Sequence, residues 1–367
     1  MFKLNIKFVF VLAAMLVTPA ARCEAPKRPH PVGLNFASYE DPVRRDWTGS
    51  RARPLSTVVW YPAAPGSRET DWTVSIFNAG TNAQGAPMAA EPAKLPLVLL
   101  SHGTGGAAST LGWLAEALAA NGYIVAGVNH HGNTGAEPSY RLEGFMAWWD
   151  RPQDISAVLD KLLADPRFGP RIDTSRIGMA GFSLGGYTTL ATIGVRLSQK
   201  QWQDFCAEAS PDNPNCKLPP EIASKYSMDD VNRLLTQDER MKKELERMGN
   251  SFRDPRIRSA YAIAPVLGPA YVKDSVAGIQ VPLRIVVGTA DDQAIPETTA
   301  KPVAALVPKA QLQLLPGVTH YAFLSTCTMV GRTVARQICS DPEGVDRSAV
   351  HRQVGADAVQ FFERTLR

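Results

Sequence analysis

The pentapeptide Gly181-Phe182-Ser183-Leu184-Gly185 constrains the fold of this chain more than any other stretch. Alone, a G-x-S-x-G pattern is common by chance. Here it ends an apolar run, Arg176 to Phe182, that reads as a short strand, and it opens a helix-prone stretch, Leu184 to Val195. A strand that turns this sharply into a helix strains the serine backbone, and side chains at positions 181 and 185 would collide with neighbouring elements, hence the glycines. The hydroxyl is then presented at the carboxyl edge of a sheet. The Leu184 amide faces the place where a tetrahedral oxyanion would form.

The rest of the chain supplies that sheet. Val32 to Tyr39 and Leu55 to Tyr61 read as strands, and Thr73 to Phe77 as a further short one. Asn78 to Lys94, rich in Gly, Ala, Pro and Asn, reads as a loop. Leu95 to Ser101 is a continuous apolar run, the pattern of a strand buried on both faces. A helix from Ala107 to Ala120, ended by Asn121-Gly122, and a strand from Tyr123 to Asn129 follow. Arg151 to Leu163 carries Ile155, Val158, Leu159 and Leu162 at helical spacing. Strands at Ala260 to Val266, Leu283 to Val287 and Gln311 to Leu315 and a closing helix, His351 to Arg364, complete the series. This alternation predicts an α/β fold, a mostly parallel sheet flanked by helices. Residues 197–255 break the rhythm: polar, charged and helix-prone, with Met228 to Met248 the clearest helix, they read as an inserted helical cap or lid.

Two basic residues, Lys3 and Lys7, precede an apolar run from Phe8 to Val17 and the small residues around Ala20-Ala21. This is the pattern of a secretory signal over residues 1–25, leaving 26–367 as the mature domain in a secreted or periplasmic protein. The run is too short for a stable membrane span. Lipid attachment at Cys23 is the lesser alternative, because Arg22 spoils the lipobox. Loss of Cys23 leaves Cys206, Cys216, Cys327 and Cys339, an even set suited to disulfides. The local pairs are Cys206–Cys216 and Cys327–Cys339, with the other two connectivities open. No C-x-x-C pattern points to zinc. A net charge of +4 with scattered Lys and Arg gives no nucleic-acid footprint, and oligomeric state is not legible.

A serine nucleophile needs a base. In this kind of fold the order along the chain is serine, acid, histidine. His30, His102, His130 and His131 precede Ser183; His320 follows the last strand, and His351, in the terminal helix beside Arg352, looks placed on a polar face. His320 is therefore the base, with His351 the alternative. The acid lies in Val286-Val287-Gly288-Thr289-Ala290-Asp291-Asp292; Asp291 is preferred, and the other carboxylate then caps the helix near Ile295-Pro296-Glu297. Ser101-His102-Gly103-Thr104-Gly105-Gly106 supplies a second oxyanion donor, the Thr104 amide, with Gly105 next; His102 is a structural hydrogen-bonding residue. No G-x-x-x-x-G-K-[ST] loop is present. His130 and His131 end a strand on the same edge and are candidate pocket residues, as are Trp148 and Trp149. A metal there would need further ligands, which the sequence does not show, so no metal is expected.

On Ser101-His102-Gly103, Gly181 to Gly186, Gly288 to Asp291 and Gly317 to Tyr321, the chain resembles α/β-hydrolases, in particular predicted dienelactone hydrolases, platelet-activating-factor acetylhydrolases and related polyester-hydrolase esterases. Tyr39 to Pro42, Arg53-Pro54, Val59 to Pro62 and Arg151 to Ile155 fit the same likeness, which covers nearly all the mature chain except 197–255. The resemblance implies hydrolysis of a small carboxylic ester through an acyl-enzyme, with no cofactor. Dienelactone hydrolases use cysteine where this chain has Ser183. Amide, lactam or peptide hydrolysis and a non-catalytic binding protein are the rival readings. A serine β-lactamase S-x-x-K is absent, since Gly186 holds its fourth position.

Overall fold

The computed structural model describes residues 29–210 and 213–367. The expected signal segment and Cys23 lie outside them. Ten strands are described: β1 (Val32–Arg45), β2 (Ala52–Pro62), β3 (Thr70–Val74), β4 (Phe77–Gln84), β5 (Leu95–Ser101), β6 (Ile124–Val128), β7 (Ile172–Phe182), β8 (Ser259–Ile263), β9 (Leu283–Gly288) and β10 (Ala310–Leu315). They form one sheet in the order β10-β9-β8-β7-β5-β6-β2-β1-β4-β3. From β10 to β6 every pair is parallel, and β2 joins β6 antiparallel.

Every residue of β5, β6 and β8 is buried, which is why their sequences are unbroken apolar runs. The helix Arg151–Ala164 lays Ile155, Val158, Leu159 and Leu162 into the main core. Each such side chain contributes about 2 kcal/mol by leaving water. β5 lies between β6 and β7, so the chain crosses from one side of β5 to the other between them. Loops leaving the carboxyl ends of β5 and β7 therefore diverge and open a crevice.

Four expectations need correction. The strand expected at Thr73 to Phe77 is the end of β3, a turn with Ser75 at φ 53°, and the start of β4. The loop expected at Asn78 to Lys94 begins with β4, antiparallel to β3 and touching β1. Its buried positions are Ala79, Asn82 and Ala83, small or polar and so without an apolar pattern. A helix, Gly112–Ala120, rests on this strand so closely that a Cβ at Gly112 would overlap the Ala79 carbonyl. Met228 to Met248 is two helices, Met228–Gln237 and Glu239–Glu246, broken at Asp238, whose carboxylate accepts the Met241 N–H at 2.8 Å. The first starts on a Ser227–Asp230 capping box. Finally, His351 is buried rather than on a polar face. It stacks on Trp113 at 4.3 Å between centroids, and its Nε2 donates to the Ala322 carbonyl at 3.0 Å.

The 197–255 segment forms helices Gln199–Glu208, Pro220–Ala223 and the pair just named. Ile222 and Val231 from it pack with Leu142 and Phe145 into a small separate core. Disulfides join Cys206 to Cys216 and Cys327 to Cys339, the local pairs. Among the described residues no helix is long and apolar enough to cross a membrane.

Candidate active site

Ser183 stands between β7 and the helix Leu184–Thr192 with φ 57° and ψ −119°. A non-glycine residue held there costs about 1–3 kcal/mol and persists only if its surroundings enforce it. They do so here. The Ser183 N–H donates to the Ile263 carbonyl of β8 at 2.9 Å. A Cβ at Gly181 would overlap the Gly185 carbonyl, and one at Gly185 the Ser101 carbonyl at the end of β5. Both glycines are thus required by close backbone approach.

His320 opens a short 3-10 turn, His320–Phe323, in the loop after β10. Its Nε2 lies 2.9 Å from Ser183 Oγ, and its Nδ1 lies 3.0 and 2.9 Å from the two oxygens of Asp291. Both His320 and Asp291 are buried, and Ser183 is 7% exposed. Nδ1–H donates to the carboxylate, leaving Nε2 to accept the serine hydroxyl proton. The acid and base loops are knitted together: Ala290 N–H donates to the Val318 carbonyl, Gly317 N–H to Thr289 Oγ1, and Gly288 has no room for a side chain against Val318. Asp291 Oδ1 also accepts the N–H groups of Gln293 and Ala294, at 3.0 and 2.7 Å. The expectation that the second carboxylate caps a helix near Ile295 is therefore corrected. Asp292 is exposed, and the next helix begins only at Ala300.

Thr104, Leu184 and Trp149 line the same cavity as Ser183 and His320, a space of about 980 Å³. Among the described residues the N–H groups of Thr104 and Leu184 meet no main-chain acceptor. Trp148, Trp202, Tyr140, Tyr321 and Phe182 add aromatic wall, and Leu218, Glu221, Val231 and Met248 bring the 197–255 segment into it.

His131, expected in the pocket, is not on this wall. Its Nδ1 pairs with Glu137 at 2.7 Å and its Nε2 accepts the Trp47 N–H at 3.2 Å, so both ring nitrogens are occupied. His130 is also diverted. Its Nδ1–H donates to Asp154 at 2.9 Å and its Nε2 accepts from Ser101 Oγ at 2.8 Å. Ser101, His130 and Asp154 repeat the residue types of Ser183, His320 and Asp291, but they are sealed in the core. Asp154 is further paired with Arg53 and Arg44. Burial, reinforced by Arg151, pushes His130 down to about 4, so its ring is neutral. Burial holds His102 well below its ordinary range too. His102 Nδ1–H donates to the Gly103 carbonyl and its Nε2 accepts the His130 N–H, a structural role.

Sequence reading missed Arg151. It is buried, and its guanidinium donates to the His102 carbonyl at 2.7 Å, holding the loop that carries Thr104. The signal was a charged pair, Arg151 and Asp154, on the same side of a helix as Ile155. Among the described residues no group of three His, Cys, Asp or Glu side chains could hold a metal ion.

Residues 92–325 match the model of the Hydrolase_4 family, described as serine aminopeptidase, S33. The chain belongs to this family. Hydrolase_4 membership makes it a serine hydrolase of the α/β-hydrolase superfamily, in keeping with the fold expected from sequence. Among solved structures, a ferulic acid esterase from Streptomyces cinnamoneus is similar over 94% of this chain and 92% of its own, with a TM-score of 0.62. At 20% identity that likeness speaks for the fold. None of the curated proteins matches the chain.

Proposed function

We propose that this Hydrolase_4 member is an exported carboxylic-ester hydrolase working through an acyl-enzyme on Ser183. His320 takes the Ser183 proton as the hydroxyl attacks the ester carbonyl, and Asp291 holds the ring and stabilises the imidazolium. The Leu184 and Thr104 amides receive the oxyanion. His320 then gives its proton to the leaving alcohol, and water repeats the cycle. The observation that carries this reading is the unbroken hydrogen-bonded run from buried Asp291 to His320 and Ser183, the last two on the wall of the cavity. Trp148, Trp149 and Trp202 favour an apolar or aromatic acyl or alcohol group. The neighbour's name, ferulic acid esterase, puts aryl esters on the test panel. The finer likeness to dienelactone, platelet-activating-factor and polyester hydrolases stays part of this proposal. So do the signal over 1–25, the mature domain 26–367 and the lid role of 197–255; the two disulfides are in keeping with export.

The family description, serine aminopeptidase, favours peptide or amide hydrolysis as the second reading. A panel of p-nitrophenyl acetate, aryl esters, aminoacyl anilides and lactams separates the two. Ester turnover that Ser183→Ala abolishes, with no anilide turnover, supports the proposal; the reverse pattern overturns it. Labelling by a fluorophosphonate probe excludes the non-catalytic binding protein, and no label would support it.

A further inference from the structure

Glu221 stands out among the residues around the cavity. It comes from the 197–255 segment, yet it shares the cavity wall with Thr104, Ser183 and His320. Its side chain lies against Gly105, the residue after Thr104: a Cβ built there would stand 2.6 Å from Glu221 Cγ and 3.2 Å from Cδ. Gly105 is fixed in place. Its N–H donates to Asn133 and its carbonyl accepts from Tyr140 Oη, so that hydroxyl is spent. Oε2 of Glu221 is buried and has no hydrogen-bond partner. Burial raises its carboxyl above the usual range, and its charge reaches Tyr140, Tyr321 and His320. A buried carboxylate oxygen without a donor is costly. A substrate that brings a donor to the cavity wall here, and draws the carboxyl round to meet it, recovers that cost on binding.

We propose that Glu221 makes the cavity selective for esters bearing a hydrogen-bond donor, a hydroxyl or an ammonium, a few bonds from the ester carbonyl. Contact with Gly105 sets the spacing, because the acceptor stands next to the loop expected to hold the carbonyl oxygen. This rests on the hydrolase reading above.

The test compares kcat/KM for isosteric pairs in the wild type, Glu221→Leu and Glu221→Gln. On the acid side, ethyl 3-hydroxybutyrate and ethyl 3-aminobutyrate are each set against ethyl 3-methylbutyrate. On the alcohol side, 2-hydroxyethyl butyrate is set against propyl butyrate. In the wild type a donor-bearing ester is expected to outrun its isostere by about tenfold, the order for a buried hydrogen bond to a charged acceptor. In Glu221→Leu that ratio falls to near one. Glu221→Gln keeps an acceptor oxygen but no charge, so a hydroxyl preference survives in part and an ammonium preference does not. Equal ratios in all three proteins overturn the proposal. Melting temperature checks the variants, and the isosteric Glu221→Gln decides between the outcomes if the leucine variant does not fold. A wild type that cleaves none of these esters and takes no fluorophosphonate sinks the hydrolase reading along with this one. Cleavage of every ester without preference sinks only the selectivity.

Discussion

Asp291 meets the His320 ring with both carboxylate oxygens, at 3.0 and 2.9 Å from Nδ1, while its own loop holds Oδ1 through the Gln293 and Ala294 amides. The Asp291 carboxylate is thus fixed from both sides, by its own loop and by the ring. Asp291→Asn offers an amide in place of one oxygen and favours the tautomer with the proton on Nε2, facing Ser183. We expect kcat for p-nitrophenyl acetate to fall by about 10⁴-fold with the fold intact. Asp292→Asn, at an exposed position, should leave kcat unchanged. Steady-state kinetics on both variants checks the assignment; the opposite ranking would make Asp292 the acid.

Gly185 faces the Ser101 carbonyl with no space for a methyl group. Gly185→Ala must push the end of β5 away from the elbow. A loss of about 3 kcal/mol is expected, at the upper end for overpacking, and urea denaturation would measure it. Gly122→Ala, at a turn where a Cβ meets nothing within 4 Å, separates crowding from the effect of a positive φ. It should cost clearly less.

Most of the fold was legible because two-sided burial writes itself as unbroken apolar runs, as in Leu95 to Ser101 and Tyr123 to Asn129. The elbow was legible because crowding leaves glycine no substitute. What was not legible depends on partners distant in sequence. β4 pairs with β3 and buries only Ala79, Asn82 and Ala83, so it carries no apolar signal. His130, His131 and His351 look alike in the sequence, yet each is consumed by a distant group: Asp154, the Trp47 amide and the Ala322 carbonyl. Asp238 interrupts an apparently continuous helix because its carboxylate satisfies a new N-terminus better than it serves an interior.

His351 gives a prediction about pH. Burial, aided by the neighbouring Arg347 charge, pushes it down to about 3, and His130 goes down to about 4. In the unfolded chain a histidine takes up its proton near 6.5. Between that value and the folded ones the unfolded state binds more protons, so stability is full above about 6.5 and declines as pH falls toward 4. Each group can contribute a slope of up to about 1.4 kcal/mol per pH unit. Melting temperatures from pH 7.5 to 4.5 should fall, and His351→Gln, which keeps a donor for Ala322, should fall less steeply. A parallel pair of curves would contradict this account.

Cys206 and Cys216 both border the cavity while closing a short loop. Their bond is expected to stabilise that part of the 197–255 segment by up to about 3 kcal/mol. Cys206→Ser with Cys216→Ser should raise KM more than it lowers kcat, and limited proteolysis should cut first between 206 and 216. An unaltered KM would place the segment outside substrate binding.

The wall residues Trp202, Glu221, Val231 and Met248 arrive on one contiguous stretch of chain, whereas Ser183, Asp291 and His320 stand on loops anchored to the sheet. On the proposed reading, part of the surface that meets the substrate therefore stands apart in the polypeptide from the groups that attack it. If that reading holds, exchanging the stretch for a foreign one, with its core-packed Leu197, Met241 and Met248 kept, is expected to change which esters are admitted while Ser183, Asp291 and His320 stay in place.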